Sequence, residues 1–299
     1  MRSFLSLLTG LVVTFASTAT EAQDQTSCDE CWAVRPYSTR GTVGSLFRWI
    51  DGPGGGSPPQ PSEPLVTDRP DFTEASSVVG LGVLQIESGY TYTSNNDDGE
   101  KSIGRSYPEI LFRYGMLANW LELRLAINYG DEVINGLSSI GAEDLYLGFK
   151  IGLTPQAGVL PEMAIIPQMN LPTGDRDRTD GEVLAGLNWL YSWSINDDVS
   201  TGGSTQFNHA IDDVTAEGYT EWAQSWTVAF SLTERIGGYT EYFGFYPSDA
   251  DTVSPEHYFN GGLTYLSSDN VQWDIRAGTG LNDAADDYFV GTGVSLRFR

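Results

Sequence analysis

From about residue 65 onward, the chain is a series of strand-length segments whose odd and even positions differ in character. Over 288–298 one parity reads Tyr288, Val290, Thr292, Val294, Leu296 and Phe298, and the other Phe289, Gly291, Gly293, Ser295 and Arg297. A period of two puts these sets on opposite faces of a sheet. The same split recurs upstream: Val271, Trp273, Ile275 and Ala277 alternate with Gln272, Asp274 and Arg276, and Leu121, Leu123, Leu125 and Ile127 with Glu122, Arg124, Ala126 and Asn128. Apolar sets five or six positions deep approach the roughly 9–11 residues with which a tilted strand crosses a bilayer. The polar sets mix opposite charges and amides among glycines, which suits a narrow polar lumen better than the Lys/Glu-rich outer face of a soluble sheet.

Connection lengths sharpen this reading. Strands are predicted near 82–93, 105–115, 119–129, 140–152, 161–171, 182–194, 198–207, 219–231, 235–246, 257–266, 270–280 and 287–298. Long links (94–104, 130–139, 172–181, 208–218 and 247–256) alternate with short or intermediate ones (116–118, 154–160, 196–197, 233–234 and 267–269). Outer-membrane barrels have long outer loops and short periplasmic turns. With both termini periplasmic, the first link should be long and the strand number even, and both hold. The expectation is an all-β, transmembrane antiparallel β-barrel of about 12 strands in the bacterial outer membrane, surrounded by outer-membrane lipid. The 8 Trp, 15 Tyr and 34 Gly of the chain suit interfacial girdles and tight turns. Barrel-assembly machinery and periplasmic chaperones are the partners such a chain needs during biogenesis.

The N-terminal region reads as export apparatus. Arg2 precedes an apolar run over 4–16, and Thr20-Glu21-Ala22 places signal-peptide cleavage after residue 22. That run is too short for a membrane-spanning helix. Residues 23–50 form a periplasmic tail, 51–64 a Gly/Pro/Ser linker, and 65–299 the barrel. Within the tail, Cys28 and Cys31 read as a structural or incidental pair, since neither a redox context nor a metal partner accompanies them. The net charge of −24 excludes nucleic acid and electrostatic docking on anionic lipid.

Residues 65–81 precede the first strand and are placed to fold back into the lumen as a plug, with Arg69 and Asp71 pairing with wall charges. Parity assigns Glu87, Glu109, Arg113, Glu122, Arg124, Asp144, Lys150, Gln168, Asn188, Glu241, Asp274, Arg276 and Arg297 to the pore lining. Opposed charges across a narrow pore select solutes by charge and hydrogen bonding. Twelve strands fall between barrels filled by their side chains and barrels wide enough for a channel, so an open and a packed lumen both remain. No cofactor is expected. Asp175, Asp177, Asp180 and Glu182 are the best site for a divalent cation such as Ca2+, although their spacing lacks the pattern of an EF-hand loop. Catalysis is not expected: His209, in a predicted outer loop like His257, has no serine two residues on, where Ile211 stands.

Thr67-Asp68-Arg69-Pro70-Asp71-Phe72-Thr73-Glu74, followed by Gly82-Val83-Leu84-Gln85-Ile86-Glu87-Ser88-Gly89-Tyr90-Thr91-Tyr92, resembles the opening of the outer-membrane transporters of the “MetA-pathway of phenol degradation” family. The resemblance extends through Phe245 to the last strand. It implies a barrel that passes small, often aromatic compounds. The CDECW tail, the linker and Arg299 after the terminal aromatic Phe298 depart from the family pattern. A transporter for small aromatic or hydrophobic solutes is therefore the leading expectation. The alternative is a structural or surface-interaction barrel, without an open pore, whose acidic outer loops bind cations.

Overall fold

The computed structural model describes residues 63–97, 100–212 and 214–299. The expected signal peptide, the tail with Cys28 and Cys31, and most of the linker lie outside the described residues.

The strands are β1 (Leu84–Asp97), β2 (Glu100–Gly115), β3 (Leu121–Ile127), β4 (Tyr129–Ile134), β5 (Leu137–Ala142), β6 (Leu145–Thr154), β7 (Glu162–Leu171), β8 (Leu184–Ser194), β9 (Val199–Ile211), β10 (Gly218–Ser231), β11 (Ile236–Ser248), β12 (Glu256–Ser268), β13 (Val271–Gly280) and β14 (Tyr288–Phe298). Each pairs antiparallel with its neighbours, and β14 returns to β1 in a register that sets Leu84 opposite Phe298. Closure leaves no unpaired edge inside the membrane, as a spanning sheet requires. β4 continues β3 along the upper part of β2, and β5 continues into β6. The fourteen segments thus make a closed twelve-stranded barrel.

Two predicted outer loops are strands instead. Residues 94–97 pair with 100–103, so β1 and β2 run on as a ribbon. Residues 130–134 and 137–139 form the β4–β5 ribbon, turned by Asn135 (φ 50°) and Gly136 (φ 85°). An Asn-Gly pair with both φ positive is the favoured two-residue hairpin turn, and its twist matches that of the flanking strands. His209 and His257 lie in β9 and β12, not in loops.

The two faces follow the parity of the sequence. Trp189, Trp226, Leu263, Trp273, Ile275 and Val290 are exposed and form an apolar outer band, whose natural solvent is lipid. Inside, Arg113, Arg124, Lys150, Glu87, Glu122 and Glu241 are fully buried. Among the described residues, buried apolar side chains cluster in two patches. One is Ala164, Ile166 and Leu190 on β7 and β8, and the other is Phe243, Tyr258, Ala285 and Phe289 on the β11–β14 side.

Candidate functional site

A chain segment inside a barrel has no strand partner for its own N–H and C=O groups, and leaving them unpaired away from water is costly. Residues 63–81 meet this requirement with the side chains of the wall. Glu87 of β1 accepts from the N–H of Asp68 at 3.1 Å and of Arg69 at 3.0 Å. Across the barrel, Glu241 of β11 accepts from the N–H groups of Phe72 and Thr73, both at 2.7 Å. Glu122 of β3 accepts from that of Val79 at 2.9 Å. The wall cations take the carbonyls. Arg113 donates to Val66 O at 3.2 Å, Arg276 to Pro70 O at 3.0 Å, Lys150 to Ala75 O at 2.7 Å and Arg297 to Glu63 O at 2.7 Å. These partners come from strands on every side, so the segment runs within the barrel. Bonds to charged groups contribute about 1.5–3 kcal/mol each.

Side-chain pairs add to this anchoring. Asp68 receives Lys150 at 2.9 Å, Arg113 at 3.2 Å, and Arg124. Burial would raise the Asp68 carboxyl, but Arg113, Lys150 and Arg124 reverse this and hold it far below the usual carboxylate range. Arg69 bridges Glu109 at 2.7 Å and Asp274 at 3.3 Å. Its guanidinium lies against the cross-strand partners Gly89 and Gly293, where a Cβ on either would collide with it. Those two glycines form the slot for Arg69. Asp71 differs: removal from water and then the neighbouring Glu241 push its carboxyl up. The charged groups that act on it most strongly are the carboxylates Glu241 and Asp68.

Phe72 anchors the segment's apolar side. It stacks on Phe243 with centroids 4.6 Å apart and meets Phe245 edge-on at 5.5 Å. Phe243 in turn stacks on Tyr258 at 4.8 Å, and the Arg276 guanidinium lies 5.5 Å above the Phe289 ring. Such pairs add about 0.5–1.5 kcal/mol each beyond area burial.

Of the residues that parity assigned to the lining, Glu87, Glu109, Arg113, Glu122, Arg124, Lys150, Asn188, Glu241, Asp274, Arg276 and Arg297 all contact this inner stretch. Two do other work. Asp144 accepts from the N–H groups of Gly174 at 2.8 Å and Asp180 at 3.2 Å, pinning the outer loop after β7. Gln168 accepts from the Tyr146 hydroxyl at 3.0 Å and donates to Asn208. Sequence reasoning missed Asp68, Glu74 and Phe72, although all three stand in the TDRPDFTE stretch. Periodicity carries no information about a non-strand segment.

The proposed cation ligands are not gathered. Asp175 accepts from the Ala142 N–H at 2.8 Å, and Arg178, between Asp177 and Asp180, turns to Ser139 O at 2.7 Å. The Asp175 carboxylate and the Arg178 guanidinium fasten the loop to the β4–β5 ribbon, and among the described residues no three His, Cys, Asp or Glu side chains converge as a metal cage.

Space remains around the inner segment. An outer cavity of about 630 Å³ reaches down past Tyr146 and Arg124 to Glu74. On the periplasmic side, a cavity of about 650 Å³ lies between the segment and β7–β10. A third, of about 460 Å³, lies below Asp71 and Tyr239. Small residues such as Ser192, Gly202 and Ala229 line the wall there and keep it open.

The profile described as “Putative MetA-pathway of phenol degradation” matches residues 67–298. No curated protein matches the sequence. Among solved structures, the chain is similar to an outer membrane channel from Pseudomonas putida F1, with 10% identity and a TM-score of 0.62 over 77% of this chain and 100% of that one. The translocator domain of the autotransporter NalP from Neisseria meningitidis is 11% identical, with a TM-score of 0.51 over 73% of this chain and 89% of that one. These likenesses show the fold of an outer-membrane β-barrel.

Proposed function

The chain belongs to the family of the MetA-pathway of phenol degradation, and from that premise we propose that it is an outer-membrane channel for small aromatic or hydrophobic solutes. The inner segment plugs the lumen and shifts to let them through. The observation that carries this reading is the pair of spaces on either side of the segment. A cavity open to the outside and another towards the periplasm are separated by a strap of chain rather than by a filled barrel core. The strap is held by ion pairs and hydrogen bonds, which exchange for water more readily than interdigitated apolar packing does. The Phe72, Phe243 and Tyr258 stack offers an aromatic solute rings of its own kind along the way.

Single-channel recording of the refolded mature chain in a planar bilayer tests this. Discrete openings, enlarged by deleting 65–74 and interrupted by small aromatic solutes, are expected. Phe72→Ala should raise the blocking concentration by about fivefold, the equivalent of one aromatic pair. A folded, heat-modifiable barrel that never conducts, with or without 65–74, overturns the channel. It leaves the rival surface-interaction barrel, for which outer-loop deletions abolish attachment to cells or cations.

A further inference from the structure

The wall cations are unevenly placed. Arg113 and Lys150 are fully buried against Asp68 and against carbonyls of the plug. Arg69 is held between Glu109 and Asp274. Carboxylates outnumber cations along the open space: Glu74 and Glu162 face the periplasmic cavity, which no Lys or Arg lines, and six carboxylates, Glu74 among them, stand against Arg124 and Arg178 around the outer one. A lumen whose sequence mixes both signs is therefore biased towards negative charge along the open path, with Arg69, Arg113 and Lys150 engaged in fixing the plug.

Glu74 faces both the outer cavity and the inner one. It is latched to the wall on both sides: one carboxylate oxygen meets Arg124, and the other accepts from Asn188 Nδ2 at 3.0 Å. Asn188 is only 1% exposed, and its Oδ1 has no hydrogen-bond partner. A carboxylate and an unsatisfied amide oxygen thus lie together at the partition, both acceptors. An ammonium group carries the charge with which Arg124 now holds Glu74, and an N–H donor for the Asn188 oxygen.

Given the channel reading above, we propose that Glu74 is the gate and the charge filter of the path. A small organic ammonium ion displaces Arg124 from Glu74, joins the two cavities and passes, whereas anions, aromatic carboxylates among them, are turned back. Acidic linings impose cation selectivity in pores generally. The Arg124–Glu74 pair is the part of the plug that a solute cation can compete for directly.

The test is the reversal potential of the refolded mature chain in asymmetric potassium chloride, and then in ethylammonium chloride. Wild type should favour both cations over chloride. Glu74→Gln should lower that preference by about fivefold, the effect in water of one unit charge at about 4 Å, and should lengthen openings because the ion pair between Glu74 and the wall is lost. Asn188→Asp, which adds charge at the same partition, should raise the preference. Glu234→Gln, in an exposed periplasmic turn, should change nothing. A wild type that conducts without cation preference overturns this inference and leaves the channel standing. So does a folded Glu74→Gln with an unaltered ratio, or an Asn188→Asp that lowers it. A wild type that folds and never conducts removes the channel itself, and the filter with it.

Discussion

Lys150 of β6 donates to Asp68 Oδ1 at 2.9 Å across 82 residues of sequence, and the same ammonium donates to Ala75 O at 2.7 Å. Asp68 Oδ1 also accepts from the Ala75 N–H at 2.9 Å. One buried ion pair therefore closes a loop in the plug and ties that loop to the wall. Asp68 is the point on which the anchoring depends, because Arg113 and Arg124 converge on it too.

Asp68→Asn leaves three buried cations short of one negative charge. Breaking a buried pair by removing one partner costs about 3–5 kcal/mol, and here the cost falls on docking of the plug, since the ladder between strands is untouched. The barrel should remain heat-modifiable, while amide protons of 66–79 exchange faster by hydrogen–deuterium measurement. The carboxyl is held low in the folded state, so its contribution is present above the ordinary carboxylate pKa of about 4. That contribution fades only as pH falls below the ordinary value towards the lowered one. Wild-type protection of 66–79 should hold from neutral pH to about pH 4. Loss of protection in this range would contradict the assignment.

Asp71 has the opposite linkage. Its carboxyl is pushed up by removal from water and by Glu241. The neutral form is favoured when docked, so its contribution is full below the ordinary pKa and is lost as pH rises through the raised one. Acidification should therefore tighten this stretch, and conductance should fall as pH is lowered. Asp71→Asn fixes the neutral form and should flatten that dependence. An unchanged pH profile in the variant would assign the titration to another group.

Asp212 joins two outer loops. It accepts from the Val214 N–H at 2.9 Å, from the Thr252 N–H at 3.1 Å and from the Thr252 hydroxyl at 2.7 Å. The Thr252 hydroxyl bond foremost, with the backbone N–H bonds behind it, lowers the carboxyl to about 2. This tie is therefore intact above the ordinary carboxylate range and is lost only as pH falls through about 2. Asp212→Ala should expose the turn after β9 and the loop after β11 to external protease at neutral pH. Equal resistance of variant and wild type would show that the loops are held by other contacts.

Alternation with period two determined the strands, their two faces, and hence which residues look inward. Register follows from parity, because a slip of one residue would turn Arg113 or Glu241 to the lipid. The rhythm of long and short connections determined the closed, even-stranded barrel. Asn135-Gly136 carries the signal of a hairpin turn, which a reading of 130–139 by connection length alone does not use. Tertiary structure alone decided what the lumen charges do. Parity says that Glu87 and Lys150 face inward, but not that Glu87 caps backbone N–H groups while Lys150 closes on Asp68. Those pairings depend on the path of 63–81, which has no periodicity of its own. That path is set by where wall donors and acceptors happen to meet its backbone. The placement of Glu74 between two cavities has the same origin: it arises from three-dimensional juxtaposition, and no local pattern encodes it.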